Sequence, residues 1–181
     1  MLNIFIKKSF CHLRFISTID LTLNVVINKP IEWNYLIKWL ENGQEYPLWR
    51  DEQQTQRYIE HQILISREYG SMNDFIRINY LKWDVDLDKS SHRRIAIPGV
   101  ESIKEPLLTP NDFPYNLANG IQHWLIWCDP KPTEPEKIIE EVINKEFHSE
   151  QFEKLYFVNP PRLRSISGVF HAHVFTREIK R

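Results

Sequence analysis

Leu155–Arg177 reads LYFVNPPRLRSISGVFHAHVFTR, and the fold turns on how this stretch is read. Two strand-like runs, Leu155 to Val158 and Val169 to Thr176, flank a Pro-Pro loop. Side chains alternate faces along a strand, so residues two apart look the same way. His171 and His173 therefore share a face with Val169 and Phe175, while Phe170, Ala172 and Val174 fill the other. Apolar residues on both faces predict a buried strand. Two imidazoles side by side on such a face are costly unless a polar group, a phosphate or a metal meets them.

Upstream, Gln122 to Cys128 is a third strand, with His123, Leu125 and Trp127 on one face and Trp124, Ile126 and Cys128 on the other. Between it and Leu155 lies an amphipathic helix. Ile138, Ile139, Val142, Ile143 and Phe147 form its stripe, and Thr133 with Glu136 reads as a capping box ahead of it. The two strands around the Asn159 to Gly168 loop are predicted to be antiparallel neighbours, with the His123 strand in the same sheet. His123 then comes near the HxH pair. Asn159, and Arg162, Arg164, Ser165 and Ser167 of the loop, are polar groups able to grip a phosphate beside it. Tyr115 and Asp112, in the turn-rich NDFPYNLAN stretch from Asn111 to Asn119, are placed to close the site from a loop.

The first half reads as helices. Leu21, Leu23, Val25 and Ile27 alternate as a strand, and Pro30 prepares a helix carrying Trp33, Leu36, Ile37 and Leu40 that Gly43 stops. Tyr58, Ile59, Ile63, Ser66 and Tyr69 make the stripe of a longer helix ended by Gly70. Ser71 and Asp74 form a capping box for a third, running from Met72 through Phe75, Ile76 and Tyr80 to Trp83. These aromatics are expected to be packing residues without chemistry. From Asp84 to Pro110 the pattern predicts a loop with one short strand around Arg94 to Ile97. Asp84, Asp86 and Asp88 lack the glycine and closing glutamate of a calcium loop and read as a solvated turn.

Composition sets the bounds. The chain has 181 residues, 42% of them hydrophobic, and six tryptophans, which argues for one domain with a real core. A net charge of −1 gives no global basic footprint for nucleic acid. No apolar run is long enough to span a membrane. Two cysteines, Cys11 and Cys128, are too few and too far apart for a disulfide framework, so a reducing, cytoplasmic setting is expected. Met1 to Ile19 carries Lys7, Lys8 and Arg14 without an acid; it is a weak match to a transit peptide and is read as an element added to the fold. The fold class is α+β, with a helical N-terminal layer (31–84) on an antiparallel sheet in a single domain, 31–181, behind an N-terminal extension, 1–30.

Between about Ile31 and Phe175 the chain resembles the fungal N-acetylglucosamine-induced protein family, a domain of unknown function. The matching pieces are Trp33 with Leu36, REYGSMNDFI (67–76), Trp83, NDFPYNLANGIQHWLIW (111–127), YFVNP (156–160), Ser165 and HAHV (171–174). More distantly, Gln122 to Phe175 resembles the histidine-triad superfamily of nucleotide hydrolases and transferases, making 111–181 a histidine-triad-like core. The order is a strand with His123, a helix, a strand ending at Asn159, a Ser-bearing loop, then VFHAHVF. Phe175 stands where the third histidine of that motif falls.

The resemblance implies an enzyme acting on a phosphate bond of a nucleotide or sugar nucleotide through a phosphohistidine. Aligning VFHAH directly makes His173 the nucleophile, His171 its neighbour and Asn159 a supporting catalytic group. Shifting by one pair makes His171 the nucleophile, with Val169 in the place of the first histidine. The first register fits Val169-Phe170 better. His123, Ser165, Arg164, Arg162, Tyr115 and Asp112 are the expected substrate-binding residues, and the expected partner is a small nucleotide or phosphate ligand. Relatives of this kind are often dimers. No resident cofactor is expected, but His171, His173 and His123 with Asp112 or Cys128 could form a zinc or iron site instead. A third alternative is a non-catalytic ligand- or protein-binding module.

Overall fold

The computed structural model describes residues 29–44, 47–100, 102–161 and 164–179. The expected transit-like segment, the Leu21 to Ile27 strand, Cys11 and Arg162 lie outside these residues. The architecture is α+β, built on a four-stranded antiparallel sheet ordered β3–β4–β6–β5: β3 Leu107–Pro110, β4 Ile121–Cys128, β5 Phe152–Phe157 and β6 Phe170–Glu178. In register, Leu125 faces His173, Trp127 faces His171, and His173 also faces Phe157 of β5. The three strands around the HxH pair are therefore neighbours as expected.

Strand alternation divides the sheet into two faces. Ile126, Cys128, Ala172 and Val174 pack with Ile139, Ile143 and Phe147 of α4 (Pro135–Glu146) or its end. Full burial of each large aliphatic side chain there stabilises the fold by about 1.5–3 kcal/mol. The opposite face, with Leu125, Trp127, His171, His173 and Phe175, meets the helices of the first half. Trp33, Leu36 and Trp39 are the buried face of α1 (Trp33–Glu41) and share a cluster with Phe157 and Phe175. Trp39 meets Phe157 edge-on at 4.9 Å between ring centroids. Gly43, at φ 71°, ends that segment in the left-handed region.

α2 (Glu52–Glu68) starts on Asp51, whose carboxylate accepts from the Gln54 amide at 2.7 Å. Its buried side is not the expected stripe. Ile63 is 45% exposed and Ser66 is exposed, while Ile65 is buried, with Tyr69 behind it at the helix end. α3 (Met72–Asn79) has the expected capping box: Ser71 Oγ accepts from the Asp74 amide at 3.1 Å. It stops at Asn79 instead of continuing to Trp83, and Lys82, at φ 56°, turns the chain.

Two further differences concern strands. Asp84–Leu87 is not loop but β1, paired with β2 (Arg94–Ile97) in an exposed hairpin. Asp88 fastens its tip by accepting from the amides and hydroxyls of Ser90 and Ser91. Leu107–Pro110, expected as loop, is the edge strand β3. At α4 the cap position is Glu134, without a side-chain hydrogen bond; Thr133 lies outside the helix because Pro135 starts it with a fixed φ and no N–H to satisfy. Among the described residues no helix is long and apolar enough to cross a membrane.

Candidate active site

His123, His171 and His173 come together on the helix-facing side of the sheet, each only 6% exposed. His173 Nδ1 lies 3.0 Å from His123 Nε2, and its Nε2 lies 3.0 Å from the Asn159 amide nitrogen. The Tyr115 N–H can only donate, and it points at His123 Nδ1 at 3.3 Å, which makes that nitrogen an acceptor. The Asn111 amide nitrogen lies 3.3 Å from the same nitrogen and 3.2 Å from His123 Nε2. Phe157 lies parallel to His173 at 4.6 Å, and Tyr115 stacks on His123 at 4.9 Å. Burial holds both rings well below the usual 6.5; the Arg50 cation adds to the effect at His123, and at His173 the neighbouring imidazoles and Arg50 do so. His173 is thus a neutral ring with both nitrogens engaged.

His171 differs. Its Nδ1 donates to the Val169 carbonyl at 3.4 Å, and no described residue bonds its Nε2. Burial is the main cause lowering its pKa; the Val169 carbonyl opposes this and Arg164 reinforces it. A neutral imidazole with Nδ1–H held leaves the Nε2 lone pair available.

That ring borders a cavity of about 250 Å³ between the sheet and the helices. Its walls are aromatic: Trp39, Tyr58, Phe75, Phe113, Tyr115 and Trp127. Polar groups enter at a few points. Arg50 lies over the rings of Tyr58 (4.4 Å) and Tyr115 (5.1 Å), and its Nε donates to the Phe113 carbonyl at 2.9 Å. Asp112 accepts a short hydrogen bond from Tyr80 Oη, and burial first, then that carboxylate, drives the phenol pKa far up. His61 stands against Phe75 and Phe113, with its pKa lowered by burial against the pull of Asp112.

The structure brings His171, His173, Asn159, Tyr115, Asp112 and Ser165 around this cavity, while His123 bonds His173 but does not line it. Arg164 lies beside it, its Nε donating to the Asn159 carbonyl at 2.7 Å. Sequence reading missed Arg50 and His61, which carry no motif. It also assigned Tyr58, Phe75 and Tyr80 to packing alone, whereas they line the cavity. The one available signal was the spacing of Tyr58 and His61, which puts both on the same side of α2. Cys128, weighed as a metal ligand, lies on the α4 face of the sheet, away from the imidazoles, where burial raises its thiol to about 11. Among the described residues no group of three or more His, Cys, Asp or Glu side chains is arranged to hold a metal ion.

Residues 32–177 match the model of the DUF3605 family, described as proteins of unknown function. The uncharacterized protein YPL067C of Saccharomyces cerevisiae is 30% identical, over 81% of this chain and 80% of that protein. The crystal structure of HTC1 shares the fold, with a TM-score of 0.53 at 23% identity over 83% of this chain and 86% of that one. With its family model running from the start of α1 to the end of β6, this chain belongs to the DUF3605 family.

Proposed function

We propose that this protein cleaves or transfers a phosphate bond of a nucleotide-like ligand through a phosphohistidine on His171, in histidine-triad-like chemistry. The observation that carries this is the contrast between the two rings. His171 has Nδ1 on the Val169 carbonyl and no described partner for Nε2, while His173 has both nitrogens engaged. Direct alignment of the strand motif favours His173 as the nucleophile. Hydrogen bonding supports the other register, in which Val169 replaces the first histidine and supplies only its carbonyl.

In this mechanism His171 Nε2 attacks phosphorus, the bond from phosphorus to the leaving group breaks and its electron pair departs with that group, while the Val169 carbonyl holds the Nδ1 proton and stabilises the positive charge that develops on the ring. The His123–His173–Asn159 chain holds the β4 and β6 side chains in place beside His171. Tyr115, Asp112 and Ser165 hold the ligand in the aromatic chamber. Hydrolysis follows when water attacks phosphorus and the electron pair of the N–P bond returns to Nε2.

The test is adduct trapping with an α-phosphate-labelled nucleotide panel, followed by peptide mapping. His171→Asn is expected to abolish the adduct and lower turnover by several orders of magnitude while ligand binding survives. His173→Asn is expected to cost roughly 10²–10³-fold, as for loss of one supporting group. An adduct on His173 would reverse the assignment. Ligand binding with no adduct on either ring would make the chamber a non-catalytic binding site.

A further inference from the structure

The β1–β2 hairpin is tied to the body along β2. The Gly70 amide donates to the Arg94 carbonyl at 2.8 Å, and the Ala96 amide donates to Asp74 Oδ1 at 2.9 Å. Antiparallel partners alternate between pairs that exchange backbone bonds and pairs that do not. At the tip the Asp88 amide donates to the Arg93 carbonyl at 2.9 Å, and in the same register Asp86 faces Ile95 and Asp84 faces Ile97. These are the bonded pairs. The backbone groups of Val85 and Leu87 therefore point away from β2, to the outer edge of β1, where the two-stranded sheet ends. Among the described residues that edge carries a single, local bond, from the Leu87 amide to Asp86 Oδ1 at 2.7 Å.

Side chains alternate along this edge. Val85 and Leu87, 50% and 54% exposed, share one face, and the exposed Asp84 and Asp86 share the other. Among the described residues no cation pairs with either carboxylate. A second copy of this chain is a poor match for the edge. Any antiparallel register that keeps the aliphatic faces together sets the aspartates of one copy against those of the other, and like charges directly opposite are destabilising. The aspartates thus discourage self-pairing, as charges on free edges do. They do not account for two half-exposed aliphatic side chains on the other face.

We infer that the outer edge of β1 takes an extended segment of a partner protein as a third strand, one whose residues alternate between aliphatic and basic. The backbone of that segment bonds the Val85 amide and carbonyl and the Leu87 carbonyl. Its aliphatic side chains cover Val85 and Leu87, and its Lys or Arg side chains meet Asp84 and Asp86. Asp86 Oδ1 holds the Leu87 amide until a carbonyl of the segment replaces it. None of these residues lines the imidazole-bearing chamber, so the surface is separate from the candidate active site and does not depend on its chemistry.

The experiment is fluorescence anisotropy on the full chain with a labelled Lys-Val-Lys-Val-Lys-Val peptide as probe. Two control peptides carry the same residues in blocks, Lys-Lys-Lys-Val-Val-Val, or Glu in place of Lys. The alternating basic peptide is expected to bind at least about 10-fold more tightly than either control. Val85→Pro removes an outward N–H without touching a β1–β2 bond, and proline is tolerated on an edge strand. It is expected to abolish binding while the urea midpoint holds. The Asp84→Lys, Asp86→Lys double variant leaves the backbone alone and is expected to reverse the preference, so that the Glu-Val peptide binds more tightly than the Lys-Val one. Equal binding of the block peptide, or a preference unmoved by the double variant, would reduce the effect to general charge attraction and overturn the inference. Absence of binding by the alternating peptide would do the same. A concentration-dependent dimer in sedimentation that Val85→Pro dissolves would give the edge to a second copy and also overturn it.

Discussion

His171 and His173 sit two residues apart on one strand face, equally buried, yet they differ in hydrogen bonding. In the proposed mechanism only neutral His171 attacks, and burial lowers its pKa. The neutral form therefore persists below the usual 6.5, and the acid limb of kcat/KM is expected below pH 6.5. A stopped assay across pH 4.5–8 checks it, and a limb above 6.5 would contradict a buried nucleophile. The presence of a histidine pair on one face was legible, because strand alternation is a local rule. Which ring keeps a nitrogen without a described partner was not. That depends on a carbonyl at Val169, a ring at position 123 and the backbone amide of Tyr115, which only the tertiary fold brings together. Arg50 and His61 were invisible for the same reason.

Among elements, α1 carries the clearest stability prediction. Leu36 is fully buried between Trp33 and Trp39, so Leu36→Ala is expected to cost about 2–5 kcal/mol in denaturant unfolding. Ser71→Ala removes the acceptor for the Asp74 amide and is expected to cost about 1 kcal/mol, with the same measurement. Elements with long, unbroken periodicity, such as β4, α4 and β6, were legible nearly to their ends. α2 was misphased because it borders a hollow chamber. Its inner side mixes Tyr58, His61 and Ile65, so hydrophobicity alone points to Ile63, which is exposed. β1 and β3 are four residues each, too short for alternation to rise above the charged and proline-rich sequence around them.

At the scale of the whole molecule, the buried histidines link stability to pH. His123 and His173 are neutral in the fold with pKa values well below 6.5, while the unfolded chain titrates near 6.5. Between those values the unfolded state binds more protons. Stability is therefore fully present above about pH 6.5 and falls as the medium is acidified below it. Urea unfolding at pH 7.5, 6 and 5 is expected to give decreasing midpoints, and a combined His123→Gln, His173→Gln variant a flatter pH dependence. The β1–β2 hairpin stands apart from this core. All four residues of β1 are exposed, as is Lys89 at the tip. The parts before and after that tip are stitched together elsewhere. Ile31 exchanges backbone hydrogen bonds with Asn116 and Ala118, Asn73 accepts from the Gly168 amide, and Arg77 pairs with Asp129. A single tryptic nick after Lys89 should therefore leave one particle in native gel filtration, although denaturing electrophoresis shows two pieces. The same break would be a rational place to divide the polypeptide for fragment complementation. One half would carry all three helices of the upper layer and the other the entire imidazole-bearing sheet.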